Sequence, residues 1–358
     1  MRLTLSVIKA DVGAIGGHLA PSKSVVDTIR ESVSAHKRDL IVDYAVGFIG
    51  DAVTILMTHA RGSADSQVHR IAWQAFVDGA RVAHEQGLSG AGHDLLTENF
   101  PGRLESTGPD SAEMTIDERS DESFLLFAAD KANPTVFNLP LYLAFGDPMN
   151  TPSLALSSAL SQGFRFQVLD IDGERNRIID LEAPERLYDL AAVLRVQNRY
   201  VITSIWTRAT DDHVAQVSPS RLHNDDPVML VRTYGDFPTT GEVLAPYATG
   251  HLVGSGIHGL QHMPLMPVPL ATKSSFFDGP PLVSCAAFSV HDGLLTEPID
   301  AFAHPFWDAA RERIAGKAMD IRKQGFLSAS SASMGESVYS NAQARLESLD
   351  RHFTSASP

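Results

Sequence analysis

Apolar and polar residues alternate along several short stretches of the chain, as they do in half-buried β-strands. The first stretch, LTLSVIKA at 3–10, precedes SKSVVDTIRESVSAHKR, where apolar residues recur at helical spacing after Ser22 or Ser24 as the candidate cap. Residues 66–86 predict a strongly amphipathic helix that ends at Gly87. The same reasoning predicts strands at 40–50, 52–60, 112–118, 123–129, 164–171, 199–206, 227–232 and 282–290, and helices at 184–194, 299–323 and 342–353.

Two regions rich in glycine, proline and asparagine interrupt this pattern, at 131–163 and 235–281. Their aromatic and apolar content predicts long ordered loops, which commonly carry the functional site. No repeat or break in composition marks a domain boundary. We therefore predict a single α/β (α+β) domain with mixed sheets over 1–326, followed at 327–358 by a flexible polar segment with a short last helix.

Composition and charge limit the classes of partner. The chain has 358 residues, 44% of them apolar, and a formal net charge of −14. Nucleic-acid binding is not expected, because it requires clustered Lys and Arg. No stretch approaches the ~20 apolar residues of a membrane span. The single cysteine, Cys285, lies in an apolar run and predicts a buried thiol in a reducing compartment. With no signal-peptide pattern, a cytoplasmic location is expected.

Carboxylates lie at the ends of predicted strands, and this is the most informative chemical pattern in the sequence. Four strands have one there: Asp11, Asp51, Asp130 and the pair Asp225–Asp226. Two histidines, His18 and His93, stand beside glycines. Carboxylates on glycine-flanked loops are typical ligands of a hard divalent cation such as Mg²⁺, so the pattern indicates a multi-metal site. Each aspartate alone is more typical of a turn or a solvated cap than of a metal ligand, and each histidine of a surface or packing residue.

A set of motifs spread over most of the chain extends this picture. In order they are SVIKADVGAIGGH, MTHARG, AGHDLL, AADK, NLPLY, FGDPMNTPSL, DDPVMLVR, PLMPV and FDGPP. With these motifs the chain resembles the bifunctional fructose-1,6-bisphosphate aldolase/phosphatase family of archaea and some bacteria. The resemblance implies a single-domain layered α-β-β-α sandwich, a homo-octamer and several Mg²⁺ ions, with Mn²⁺ or another divalent ion as the alternative. It also implies two reactions at one site: an aldol condensation through a lysine Schiff base, then hydrolysis of a sugar phosphate.

The resemblance also assigns residues. The metal ligands fall on Asp11, His18, Asp51, Asp130, Asp225 and Asp226, with His93 at the place of a family glutamine. The catalytic positions are Asp11, Asp51, Asn224 and Tyr339. The substrate-binding positions are Lys131, Arg221, His262 and Asp278.

Besides His93, the chain departs from the family pattern at four further places. Ala52 stands where the family has a second metal-binding aspartate. Asn224 replaces the Schiff-base lysine, and an asparagine amide cannot form an imine with a ketone. Arg221 falls at the place of a tyrosine that assists the aldol proton transfers. In the sugar-binding loop, an arginine, a histidine and a tyrosine are replaced at His258, Gln261 and His262.

These departures separate the two reactions. Metal-assisted phosphate-ester hydrolysis needs ligands, an activated water and a phosphate clamp, and most of these residues are present. We therefore predict an Mg²⁺-dependent sugar-phosphate phosphatase of carbohydrate metabolism (gluconeogenesis) that has lost the lysine-dependent aldolase activity. The alternatives are a repurposed metal-dependent lyase, isomerase or cyclase acting on another phosphorylated sugar or polyol, and an inactive metabolite-binding homologue.

Overall fold

Two β-sheets lie face to face at the centre of the computed structural model, which describes residues 1–92, 110–171, 177–196, 199–218, 227–233, 239–254, 262–274, 280–323 and 340–355. Four strands form the smaller sheet: β1 (Arg2–Asp11), β2 (Asp43–Ile49), β3 (Ala52–His59) and β4 (Asp110–Asp117). Their spatial order is β2-β3-β1-β4, and all of these pairs are antiparallel. The predicted turn at Gly50–Asp51 joins β2 to β3.

The larger sheet contains most of the remaining strands. In chain order, the strands after β4 are β5 (Glu122–Asp130), β6 (Phe164–Asp170), β7 (Arg177–Ala183), β8 (Tyr200–Thr207), β9 (His213–Val217), β10 (Val228–Thr233), β11 (Leu252–Gly254), β12 (His262–Pro264), β13 (Met266–Pro267), β14 (Leu282–His291), β15 (Leu294–Leu295), β16 (Ile299–Asp300) and β17 (Thr354–Ser355). Nine of them follow the order β13-β14-β5-β10-β9-β8-β6-β7-β17, with β15 and β16 paired to β14. The β13–β14 pair is parallel, so this sheet is mixed, whereas β11 and β12 form a separate hairpin.

Helices cover the outer faces of both sheets. They are α1 (Lys23–Ser34), α2 (Ser66–Glu85), α3 (Asn138–Phe145), α4 (Ser153–Leu156), α5 (Leu187–Leu194), α6 (Thr240–Leu244), α7 (Phe306–Lys323) and α8 (Ser340–Asp350). The predicted cap of α1 is Ser22, whose side chain accepts a hydrogen bond from the Val25 N–H. None of the helices in the described ranges is long and apolar enough to cross a membrane.

Side-chain alternation along the strands divides the core into three layers of contacts. On β1, Leu3, Leu5 and Val7 face the larger sheet, whereas Ile8 and Ala10 face α1 and α2. On β5, Phe124, Leu126 and Ala128 face the smaller sheet, whereas Leu125 and Phe127 face a third cluster beneath α3, α5 and α7. The chain therefore forms an α-β-β-α sandwich, and the predicted α/β fold class with mixed sheets is confirmed.

Three predicted segments were wrong. Region 131–163 is not only loop, because it contains α3 and α4, and region 235–281 contains α6 and the short strands β11, β12 and β13. The sequence NLPLYLAF of α3 is apolar on all sides, which hides helical periodicity. Pro140 is tolerated because it lies in the first turn, where an N–H has no intrahelical partner. The helix predicted over 299–323 begins at Phe306, since Ile299 and Asp300 pair with β14.

The C-terminal residues 340–355 dock on the larger sheet. Helix α8 packs on α5, where Arg345 Nη1 donates to Asp189 Oδ1 at 2.6 Å, and β17 pairs with β7. Arg177 bridges Asp170 of β6 and Asp350 of α8, at 2.6 and 2.7 Å. The division of the chain at residue 326 stays a prediction.

Candidate metal centre

Strand ends from the smaller sheet meet at one end of the layer between the sheets. Asp11 ends β1, and its register partner on β3 is Ala52, the residue after Asp51. One ligand atom each from Asp11, His18 and Asp51 lies within 4.8 Å of the others. The structure therefore brings together three of the residues that the sequence marked as metal ligands, although His18 is separated from Asp51 by 33 positions.

A glycine-rich loop after β1 places His18 in this group. The Gly13 N–H donates to Asp11 Oδ1 at 2.9 Å, and Gly16 and Gly17 turn the chain with φ values of +66° and +94°, which favour glycine. His18 Nδ1 lies 2.8 Å from Asp51 Oδ2. Because an ionised carboxylate only accepts hydrogen bonds, the Nδ1 proton points toward Asp51. The His18 side chain is 49% exposed and Asp51 8%, so the centre opens to solvent on the histidine side.

Asp130, at the end of β5, approaches the same place from the larger sheet. It is fully buried, and Oδ2 accepts a hydrogen bond from Ser274 Oγ at 2.5 Å. Its carboxylate also packs against Gly50: a Cβ on that glycine would lie 2.0 Å from Asp130 Oδ1. Gly50 has a φ of +55° as well, so glycine is required there both for the turn and for the close approach of Asp130.

Two buried lysines border this end of the layer. Lys9 of β1 is 1% exposed, and its Nζ donates to the Ala129 carbonyl at 2.7 Å, which ties the two sheets together. Lys131 follows Asp130, is 4% exposed and has a φ of +55°. A lysine in the left-handed region is strained, and such strain is concentrated at functional sites in proteins.

The loop over residues 88–92 runs along the opposite side of Asp11. Ala14 and Ser89 exchange backbone hydrogen bonds of 2.9 and 3.2 Å. A Cβ on Gly90 would lie 3.6 Å from Asp11 Oδ2, so this backbone passes near the carboxylate. The loop leads to His93, which lies outside the described residues.

Two of the predicted substrate-binding positions, Lys131 and His262, are described, and hydrogen bonds connect both to the chain around the end of β5. The Ala129 N–H donates to the Pro227 carbonyl at 3.0 Å, so the chain just after Asp226 lies beside the residue just before Asp130. The Asn133 N–H donates to the Gly254 carbonyl at 3.1 Å, and Gly254 pairs with His262. Burial lowers the pKa of His262. Lys131 and His262 are thus connected through the hydrogen bond between Asn133 and Gly254.

Seven positions assigned by the resemblance lie outside the described residues: His93, Arg221, Asn224, Asp225, Asp226, Asp278 and Tyr339. Their roles stay predictions.

The described donors fit a divalent cation. Two carboxylates and an imidazole within 4.8 Å, with a third carboxylate nearby at Asp130, supply the oxygen-rich ligand set that Mg²⁺ and Mn²⁺ accept. Asp51 and Asp130 are 6% and 0% exposed, and buried like charges of this kind require compensation.

The sequence did not single out Lys9 or Ser274. Lys9 is marked only by its place two residues before Asp11, at the same parity of β1. Ser274 stands beside Ser275 in the sequence, and no local pattern separates the two serines. A contact across 144 residues requires the folded structure.

Comparison with known proteins gives a consistent result along the chain. The sequence model of the fructose-1,6-bisphosphatase family matches residues 2–354. A fructose-1,6-bisphosphate aldolase/phosphatase of Thermus thermophilus is 45% identical, covering 99% of this chain and 100% of that protein. Proteins of the same name from Cenarchaeum symbiosum and Methanothermobacter marburgensis are 39% and 36% identical. They cover 98% and 99% of this chain, and 94% and 99% of their own lengths.

Proposed function

The chain belongs to the fructose-1,6-bisphosphate aldolase/phosphatase family, and on that premise we propose that it is a divalent-metal-dependent sugar-phosphate phosphatase. Fructose 1,6-bisphosphate is the first substrate to test, because it is in the names of the relatives. The observation that carries the proposal is the convergence of Asp11, His18 and Asp51 beside Asp130.

The residues of the candidate metal centre are each assigned a role in phosphate-ester hydrolysis. Asp11, Asp51 and His18 would hold the metal, with Asp130 on the side of the larger sheet. A bound divalent ion supplies charge compensation for the phosphoryl oxygens and lowers the pKa of a nearby water. Asp11 accepts the proton of the attacking water as its oxygen bonds to phosphorus. The bond from phosphorus to the sugar oxygen breaks, and that oxygen takes a proton from solvent water and leaves as the alcohol, while Asp11 returns its proton to solvent.

Lys131 supplies the cation for the phosphate group. Its ammonium charge would pair with phosphate oxygens, as expected for a lysine beside a phosphoryl site. His262 provides a neutral ring near the same region, since burial lowers its pKa. These two residues would orient the substrate while the carboxylates hold the metal.

The aldolase half of the family reaction is proposed to be lost. Asn224 stands at the Schiff-base position, and no imine forms on an amide nitrogen. Arg221 at the place of the tyrosine removes the second aldol group. Both positions lie outside the described residues, so only their identity in the sequence supports the proposed loss.

Four further properties are proposed from the resemblance and the composition. They are Mg²⁺ as the physiological ion with several ions per chain, a homo-octamer, a role in gluconeogenesis, and a cytoplasmic location. Metal analysis of the purified protein and light scattering test the first two directly.

Phosphate release from a panel of sugar monophosphates and bisphosphates tests the phosphatase proposal. We expect turnover with Mg²⁺ or Mn²⁺, loss of turnover with EDTA, and loss in Asp11→Asn. The control is Asp27→Asn, which alters an exposed aspartate of α1 paired only locally with Arg30. No phosphate release from any member of the panel overturns the proposal.

Borohydride trapping tests the aldolase proposal. With dihydroxyacetone phosphate, the wild-type chain should form no reduced adduct, whereas Asn224→Lys should form one. A trapped adduct on the wild-type protein contradicts the proposed loss.

A further inference from the structure

Segment 270–274 contacts three separate parts of the metal centre. The Thr272 carbonyl accepts a hydrogen bond from the Gly50 N–H at 2.9 Å, next to Asp51. The Ser274 N–H donates to the Leu19 carbonyl at 2.9 Å, next to His18. The Ser274 hydroxyl donates to Asp130 Oδ2 at 2.5 Å. This short segment therefore contacts the loop after β1, which carries His18, and the turn between β2 and β3, which carries Asp51. It also contacts Asp130 at the end of β5.

The segment is itself fixed to the larger sheet. The Leu270 N–H donates to Asp300 Oδ2 at 2.9 Å, and Asp300 belongs to β16, which pairs with β14. Thr272 Oγ1 donates to the Pro269 carbonyl at 2.6 Å. A segment held at both its start and its middle transmits the position of the sheet to the groups it contacts.

Burial makes the hydroxyl of Ser274 decisive for Asp130. Ser274 is 5% exposed and Asp130 0%, so water does not compete freely for this bond. Hydrogen bonds to an ionised carboxylate are about twice as strong as neutral ones. Gly50 closes the other side of the same carboxylate. Asp130 thus packs between a hydroxyl and a glycine, and loss of the hydroxyl removes one of the contacts that set the position of its carboxylate.

We propose that Ser274 is a positioning residue of the metal centre, whose hydroxyl acts through Asp130. The proposal rests on the function proposed above, since it assigns Ser274 a role in the spacing of the metal ligands. It predicts that Ser274 matters for metal affinity more than for the fold.

Direct Mn²⁺ binding by the full-length protein, with free Mn²⁺ measured by EPR, tests the proposal without an activity assay. Ser274→Ala should raise the Mn²⁺ dissociation constant about 10- to 100-fold, the usual effect of losing a group that orients a metal ligand. Ser274→Thr, which keeps the hydroxyl, should retain binding. At saturating metal the kcat of Ser274→Ala should return toward the wild-type value, so the loss is in the metal requirement.

Two controls separate positioning from packing. Ser204→Ala removes another buried hydroxyl, 4% exposed and bonded to Gln216 Oε1 at 2.9 Å, and should leave Mn²⁺ binding unchanged. In an Asp130→Ala background, Ser274→Ala should weaken Mn²⁺ binding little further, since its main target is already gone.

The outcomes are distinguishable. Wild-type affinity in Ser274→Ala, or full additivity with Asp130→Ala, overturns the positioning role and leaves the phosphatase proposal intact. A wild-type protein that binds no Mn²⁺ overturns both proposals. If Ser274→Ala does not melt cooperatively, Ser274→Cys replaces it, because it keeps a side chain there with only a weak donor. Unchanged Mn²⁺ affinity in that variant overturns the proposal equally.

Discussion

Two clusters of histidine and carboxylate groups lie on the smaller sheet, and they differ in what surrounds the carboxylates. Asp11 and Ser6 both belong to β1, about 17 Å apart at the rise of an extended strand. At Asp11, two carboxylates and His18 converge, with Asp130 nearby. At Ser6, a single carboxylate, Glu113, lies among hydrogen-bond donors.

The Glu113 cluster is closed by its own hydrogen bonds. Glu113 accepts from Ser6 Oγ and from the Ala64 N–H, both at 2.5 Å, and pairs with His69 Nε2 at 3.0 Å. These bonds, with His69, lower the pKa of Glu113 against the opposing effect of burial. The Arg61 N–H donates to His59 Nδ1 at 3.3 Å, so Nε2 carries the proton that His59 shares with Ser6 at 2.8 Å.

Residue type alone therefore does not identify a metal site. His59 and His69 are 0% and 4% exposed, whereas the His18 side chain is 49% exposed. One carboxylate among several donors forms a sealed structural network. Several carboxylates meeting at a solvent-facing histidine are a ligand set that suits a divalent cation. Experiments on each cluster test this difference.

The largest expected effect is on the metal centre. Asp51→Asn should reduce kcat/KM for phosphate release by at least about 100-fold, because a metal ligand matters no less than the groups that orient it. The thermal unfolding temperature of the metal-free protein should not fall, because the substitution removes a buried negative charge. Melting curves with and without Mg²⁺ check this, and a metal-free protein made much less stable by the substitution contradicts it.

A change at Glu113 should lower stability and leave activity unchanged, the opposite of the result expected for Asp51→Asn. Glu113→Ala removes the acceptor of Ser6, His69 and Ala64, and we expect a loss of about 3 kcal/mol in unfolding free energy, as for breaking a buried pair. Urea unfolding measures the loss. Among molecules that remain folded, kcat should stay near the wild-type value; a selective loss of kcat would show that the two clusters are coupled.

The pH dependence of stability should come from buried histidines outside the metal centre. Burial lowers the pKa of His213 and His251 from 6.5 to about 4, and lowers that of His59 as well. The unfolded chain therefore binds more protons between these values. Stability should be full above pH 6.5 and fall as pH decreases toward about 4, by about 1.4 kcal/mol per pH unit for each histidine.

Variants assign this slope. Urea unfolding at several pH values measures how the unfolding free energy depends on pH. In His251→Gln the slope should be smaller by the equivalent of about one proton taken up on unfolding. His291→Gln, which alters a histidine with an 81% exposed side chain, should leave the slope unchanged. Equal slopes in the wild type and in His251→Gln contradict the assignment.

The smallest expected effect concerns Ala52, beside the metal centre. Ala52 is fully buried and pairs with Asp11 across β1 and β3. Ala52→Asp should increase Mn²⁺ affinity by roughly five-fold, because it adds a carboxylate ligand. The metal-free protein should lose about 1–3 kcal/mol of stability, the cost of an uncompensated buried polar group. Ala52→Asn, of similar size without the charge, is the control; equal Mn²⁺ affinity in the two variants would exclude direct ligation.

Much of the fold followed from the sequence because strand and helix periodicities are local properties. The predicted β1, α1 and α2 agree with the structure within a few residues, since each has an apolar face and a recognisable cap or turn. Helix α3 was missed because both its faces are apolar. Strand β7 was missed although its burial alternates, which shows that a weak period-two pattern is easily overlooked.

The candidate site was predictable only in its parts. The sequence by itself determined which strands end in aspartate and where glycines allow a tight loop, because these are properties of neighbouring residues. The tertiary structure decided that Asp11, Asp51 and Asp130 meet, because stacking the two sheets places side chains of β1 and β5 in one layer. It also decided that Ser274 contacts Asp130, since a hydrogen bond across 144 residues depends on packing that no local pattern encodes.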